Sequence, residues 1–288
     1  MEGVIAAVPT AIDKAGRPQK EPFLEHCAWA LANGCDGLNI LGSTGEANSF
    51  AQEDRKSIMS WAAETLDQSR LMVGTGTPSL GETIALTRQA ARLGYKTALV
   101  LPPYYYKPVT DAGLIDWYTA LHEALGSDPI ELYFYNFPQM TGLAIPVNVI
   151  AALARKFPSR FTGIKDSSGD LGYCRDILAQ SPDLCVFPSS ETSLVEAQKS
   201  GFAGCISATT NITSLLCADI WKNRASPDAK TAGELARQRT AIAGPTLIPA
   251  IKYLVGKRSG HDDWRLVLPP FQSLGETEIK ELENKLSA

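Results

Sequence analysis

Long apolar runs are missing from this 288-residue chain; none approaches the roughly 20 residues that a bilayer-spanning helix needs, so no membrane-spanning segment is expected. Runs of Lys or Arg are missing as well, and the formal net charge is −4. A basic stripe for nucleic acid or an anionic membrane is therefore excluded. Histidine is scarce: His26, His122 and His261 stand apart from one another and from any pair of cysteines, so neither a zinc site nor another metal centre is expected. The six cysteines, Cys27, Cys35, Cys174, Cys185, Cys205 and Cys217, lack CxxC spacing and lie mostly in apolar surroundings. They read as buried free thiols of a reducing compartment. Met1-Glu2-Gly3-Val4 carries an early acid and no basic stretch leading into an apolar one, so no secretory signal is read and a cytoplasmic location is expected. What these absences leave open is a globular protein acting on a small molecule.

With 44% apolar and 20% charged residues, the chain is long enough to bury a full core. Short apolar runs recur at regular intervals, separated by stretches of helical periodicity, which is the pattern of repeated βα units. The runs predict strands at Val4–Val8, Gly37–Leu41, Leu71–Gly74, Ala98–Leu101, Glu131–Tyr135, Thr162–Lys165, Cys185–Pro188 and Gly204–Ser207. Most are apolar throughout instead of alternating, as befits parallel strands covered on both faces. Helices are predicted over Phe23–Leu31, Phe50–Leu66, Gly81–Leu93, Ala112–Leu125, Pro146–Lys156 and Leu171–Ala179. In the second of these, Ile58, Trp61, Ala62 and Leu66 share a face, and Ser49 with Gln52 has capping-box spacing.

Eight units point to an α/β fold, a (β/α)8 TIM barrel over residues 1–225. Residues 226–288 read as a C-terminal helical extension of the same domain, interrupted at Gly244-Pro245 and by a loop over Gly256–Pro270, with a last helix at Glu276–Leu286.

Such barrels carry their chemistry at the C-terminal ends of the strands. Five of these ends are chemically loaded: Gly42–Glu46, Pro103–Tyr106, Tyr135-Asn136, Lys165–Ser167 and Ser189–Glu191. Lys165 ends an apolar run, where desolvation disfavours the ammonium and raises the share of free amine able to attack a carbonyl. From position alone, an ion pair with Asp166 is equally open. Gly42–Glu46 offers amides freed by two glycines plus two hydroxyls, either a carboxylate cradle or a turn into a helix. Tyr135 can relay a proton beside an imine or serve as a strand aromatic.

In these residues the sequence resembles the dihydrodipicolinate synthase/N-acetylneuraminate lyase family of class I aldolases. The motifs are GSTGE (Gly42–Glu46), PPYYYKP (Pro102–Pro108), YNFPQMTG (Tyr135–Gly142), GIKDSSGD (Gly163–Asp170) and GCIS (Gly204–Ser207), in that order over essentially the whole chain. The resemblance implies a Schiff base between Lys165 and pyruvate, or the pyruvate end of a larger oxo acid. It implies a carboxylate site at Ser43 and Thr44, proton relay through Tyr135, Thr44 and Tyr105, and main chain at Ile206 facing the lysine. It also implies a homotetramer built as a dimer of dimers, with Tyr105 reaching a neighbouring site, and no cofactor.

Two departures bear on the substrate. The family's dihydrodipicolinate synthases carry an arginine before Thr-Gly in the YN-x-P segment, where this chain has Met140; a thioether cannot replace a bidentate guanidinium. The sialic-acid lyases have an Asp-Glu pair after strand 7 and a hydroxyl after strand 8, where this chain has Glu191-Thr192 and Ala208. Short polar groups remain, Ser167, Ser168, Ser189, Ser190, Glu191 and Thr209, suited to hydroxyls on a chain extending from the imine or to capping turns. The preferred expectation is reversible cleavage of a 2-oxo-3-deoxy sugar acid, or related 4-hydroxy-2-oxo acid, to pyruvate and an aldehyde. The alternatives are a dihydrodipicolinate synthase, a dehydratase of a deoxy oxo-sugar acid, and a catalytically silent 2-oxo-acid sensor.

Overall fold

The computed structural model describes residues 1–287. Among them eight strands form one sheet: β1 (Gly3–Ala7), β2 (Gly37–Ile40), β3 (Leu71–Gly74), β4 (Thr97–Val100), β5 (Glu131–Asn136), β6 (Phe161–Asp166), β7 (Cys185–Pro188) and β8 (Gly204–Ser207). Their order is β7-β6-β5-β4-β3-β2-β1-β8, each pair parallel. Just ahead of β8, the Ala203 amide donates to the Val186 carbonyl of β7 at 2.9 Å. That contact brings the two ends of the sheet together, and the result is a (β/α)8 TIM barrel.

The helices that follow the first four strands are α1 (Lys20–Ala32), α2 (Gln52–Thr65), α3 (Leu80–Arg92) and α4 (Asp111–Leu125). A single turn, α5 (Pro138–Thr141), and then α6 (Val147–Lys156) follow β5; α7 (Leu171–Gln180), α8 (Ala197–Ser200) and α9 (Thr210–Lys222) follow the last three strands. Beyond the barrel run α10 (Ala229–Ile242), α11 (Leu247–Ser259) and α12 (Glu276–Ser287). Side-chain caps fix several starts: Ser79, Thr110, Asp170 and Asp228 each accept from an amide in the first turn of α3, α4, α7 and α10, an interaction typically worth ~1 kcal/mol.

Strand side chains alternate between two cores, as a pleated backbone requires. On β1, Val4 and Ala6 face outward into the layer between strands and helices, while Ile5 and Ala7 join Met72, Leu99, Tyr133, Phe187 and Ile206 inside the barrel. A third core, around Ile251, Tyr253, Val255 and Trp264, holds the added helices. No helix among the described residues is long and apolar enough to cross a membrane. Five of the cysteines are buried free thiols and Cys185 is half-buried.

The predicted strands all form, with ends displaced by about a residue, and the six predicted helices lie where periodicity put them. Two local expectations fail. Ser49 does not cap α2, whose N-cap is Ala51 with no side-chain cap; the Ser49 hydroxyl instead donates to the Pro269 carbonyl, because a strap from the extension crosses that loop. The predicted loop at Gly256–Pro270 starts later, since α11 runs through Gly256 to Ser259. A side chain at Gly256 would meet Trp264 Cβ at 2.9 Å. That glycine is there for close packing, and Gly260, with φ of 78°, ends the helix.

Candidate active site

The parity of β5 and β6 puts Tyr135 and Lys165 side by side. Tyr133 and Tyr135 point into the barrel and Phe134 points out, and the register pairs Tyr133 with Gly163 and Tyr135 with Lys165. Lys165 thus projects from the inner face at the end of its strand, only 4% exposed. Below it, Gly163 is pressed against the Tyr133 ring, where an added Cβ would come within 2.6 Å. The barrel is filled beneath the lysine and open above it. Its Nζ lies 4.6 Å from the centroid of the Tyr135 ring, a cation–π distance.

Asp166, one residue on, faces the opposite way. Its carboxylate accepts from Asn136 Nδ2 at 2.7 Å and from the Ser168 hydroxyl and amide at 2.7 and 3.2 Å. Burial raises its carboxyl above the ordinary range, opposed by those hydrogen bonds. The Lys165–Asp166 ion pair left open by the sequence does not form, because adjacent residues of a strand occupy opposite faces. Asn136 also accepts from the Ile145 amide, so Asp166 and Asn136 lock the loops that frame the lysine.

Above Lys165 is a cavity of about 310 Å³. Ser43 and Thr44 line it from the loop after β2, with the Ser43 hydroxyl 3.3 Å from the Tyr135 phenol. Ser167, Ser189, Ile206 and Met140 line it as well. Of the site residues expected from sequence, eight therefore meet around one space. Tyr105 does not: it is 73% exposed at the tip of the loop after β4, edge-on to Tyr106.

Glu191 also fails to reach the cavity, which corrects its expected contact with substrate. It is fully buried, and accepts from Ser207 Oγ at 2.5 Å, Thr213 Oγ1 at 3.2 Å, Thr209 Oγ1, and Arg239 Nη1 at 2.6 Å. A carboxylate so deep requires a cation and donors, and these occupy it completely. Three more of the short polar groups serve structure: Ser168 binds Asp166, Ser190 binds Thr192, and Thr209 binds Glu191.

Arg239 is the residue that the sequence did not disclose. It arrives from α10, pairs with Glu191, and lines the cavity with a side chain that stays partly exposed. Ser207 lines the wall next to it, while Leu247, Ile248 and Phe271 of the extension, with Phe137, make the apolar side. Once Glu191 is buried, some cation must meet it, and which one depends on where α10 packs. Among the described residues, no carboxylate lines the cavity, and its two charged side chains are both cations.

Comparison with known proteins identifies the family and the fold. The sequence model of the Dihydrodipicolinate synthetase family matches residues 1–288. A 4-hydroxy-tetrahydrodipicolinate synthase of Rhodospirillum centenum is 33% identical over 285 residues, covering 94% of each chain. The crystal structure of dihydrodipicolinate synthase from Agrobacterium tumefaciens superposes with a TM-score of 0.92 at 26% identity, covering 100% of this chain and 99% of that one. YagE of Escherichia coli K12, a prophage protein of the dihydrodipicolinic acid synthase family solved in complex with pyruvate, gives a TM-score of 0.88 at 25% identity, over 100% and 98% of the two chains.

Proposed function

This chain belongs to the dihydrodipicolinate synthetase family, and we propose that it is a lyase that binds a 2-oxo acid as a Schiff base on Lys165 and cleaves or forms a carbon–carbon bond next to it. The preferred substrate is a 2-oxo-3-deoxy sugar acid or related 4-hydroxy-2-oxo acid, giving pyruvate and an aldehyde. One observation carries the reading: Lys165 is buried with no acidic partner among the described residues, beside the Tyr135 ring and under a cavity that also holds the Ser43, Thr44, Ser167 and Ser189 side chains. An unpaired strand-end amine has no structural task there, whereas carbonyl addition needs one.

The C1 carboxylate sits against Ser43 and Thr44, and the C2 carbonyl meets the Lys165 amine. Attack gives a carbinolamine and loss of water the protonated imine, with Tyr135 moving the protons. In cleavage the C4 hydroxyl gives up its proton and the C3–C4 bond breaks. Its electron pair flows into the imine to leave an enamine, and the aldehyde departs. Protonation at C3 and hydrolysis then release pyruvate and restore the amine. The imine is the electron sink, so the chain's own residues suffice.

Borohydride trapping tests the chemistry. Pyruvate should add its reduced mass to Lys165 and not to Lys165→Ala, and failure to trap any 2-oxo acid would end the reading. The relative from Rhodospirillum centenum favours a second one, condensation of pyruvate with aspartate semialdehyde. Met140 opposes it, since the guanidinium expected at that position is missing. Pyruvate release from 2-oxo-3-deoxy acids against turnover of the semialdehyde separates the two; a dehydratase would release no pyruvate. Assembly as a homotetramer, with Tyr105 entering a neighbour's site, accords with the exposure of Tyr105 and Tyr106 and is read by sedimentation.

A further inference from the structure

The cavity of Lys165 has a second charged wall, and its chemistry narrows the substrate. Arg239 donates through Nη1 to Glu191 at 2.6 Å, Thr209 at 2.9 Å and Ser207 at 3.3 Å. Among the described residues these are the only protein partners of its guanidinium, so Nε and Nη2, the long edge of the fork, carry no bond. That side chain is 25% exposed, whereas Glu191 behind it is 0% exposed. The carboxylate thus holds the guanidinium by one corner and leaves Nε and Nη2 without a protein partner, in a residue that lines the cavity. No acid among the described residues lines this space, and a 2-oxo acid bound at Ser43, Thr44 and Lys165 brings its one carboxylate to that end only, so the free donors of Arg239 stay unmet.

We propose that Arg239 binds a carboxylate at the far end of the substrate, so that the compound handled is a 2-oxo dicarboxylic acid and the aldehyde it exchanges is itself an acid. This rests on the reading that the near end is held at Lys165. Nε–H and Nη2–H are parallel donors matched to two carboxylate oxygens. A monoanion fits better than a phosphate dianion, because Glu191 already offsets the single guanidinium charge and no other cation stands on that wall. Arg239 comes from α10, so the far carboxylate is held on a different wall from the one after β5, where Met140 stands.

The test uses two ligands that cannot be cleaved, 2-oxoadipate and 2-oxohexanoate, which differ in the far carboxylate. Calorimetry on the wild-type protein should show 2-oxoadipate binding about 10- to 100-fold more tightly, the range for a charged hydrogen-bonded contact. The preference should fall to within about threefold in Arg239→Met/Glu191→Gln, where both buried charges are removed together so that neither is stranded. The ratio is internal to each protein, so a general loss of affinity cancels. Equal affinities in the wild type, or a preference that survives in the double variant, would overturn the proposal. So would tighter binding of a phosphate-ended 2-oxo acid than of 2-oxoadipate. Borohydride trapping with pyruvate on the same preparations reports separately on Lys165: a protein that fails to trap but keeps the carboxylate preference refutes the imine and upholds Arg239.

Discussion

Two buried lysines, Lys165 at the mouth of the barrel and Lys252 in the seam between barrel and extension, are handled in opposite ways. Lys252 is fully buried, and its Nζ meets Glu46 Oε1 at 2.5 Å, while Glu46 Oε2 accepts from the Leu268 amide at 2.6 Å. Burial pulls its ammonium below the ordinary range and Glu46 opposes that shift. Lys165 is nearly as buried and has only the face of Tyr135 and an open cavity. The seam treats charge as something to be neutralised; the mouth keeps one amine available. His26 belongs with the seam: its Nε2–H donates to Asn211 Oδ1 at 2.8 Å, and its Nδ1 accepts from Arg258 Nη2 at 2.7 Å. Since Arg258 can only donate, that imidazole is neutral, and burial, with the Arg258 charge beside it, holds its pKa down to about 3.

The sharpest contrast comes from making the same change at both lysines. Lys165→Met should lose at least about 10⁴-fold in turnover with an urea-unfolding midpoint close to wild type, because no partner is stranded. A midpoint collapse there would make Lys165 a structural residue. At the mouth, Tyr135→Phe should slow turnover by about 10²–10⁴-fold if the phenol relays protons; an unchanged rate reduces it to packing. Lys252→Met should cost about 3–5 kcal/mol of unfolding free energy by leaving Glu46 buried and uncompensated. Much of that should return in Glu46→Gln/Lys252→Met, and a single variant as stable as wild type would erase the distinction between the regions.

The smallest effect is a pH dependence at the seam. The folded pKa of His26 is depressed, so below its ordinary value of 6.5 the unfolded chain takes up a proton that the folded one refuses. Stability therefore falls with falling pH, by on the order of 2 kcal/mol between pH ~6.5 and ~5 from this group. His26→Gln should flatten that part of the profile measured by urea titration at several pH values; an unchanged slope would mean the imidazole is not the source.

The barrel was legible because its signals are local. Apolar runs such as Leu71–Gly74, separated by helical faces such as that of Ile58 and Ala62, dictate βα units whatever lies far away. The same holds for the reactive end: Lys165 closes a strand, so the fold delivers it to the mouth. Ser49 and Gly256 misled because their partners, Pro269 and Trp264, are distant in sequence or packed across a turn. Glu191 misled for the same reason, since a carboxylate after β7 looks alike whether it faces substrate or an arginine from α10.

By itself the sequence determined the strand and helix order, and with it the company of Ser43, Thr44, Tyr135 and Lys165 at one rim, because periodicity and strand parity act over a few residues. Only the tertiary structure decided that Asp166 turns away from Lys165, that Glu191 is sealed behind Arg239, and that Lys252 is paired with Glu46. These are meetings of charges from elements far apart in the chain. Burial forces each charge to find a partner, and packing alone chooses which.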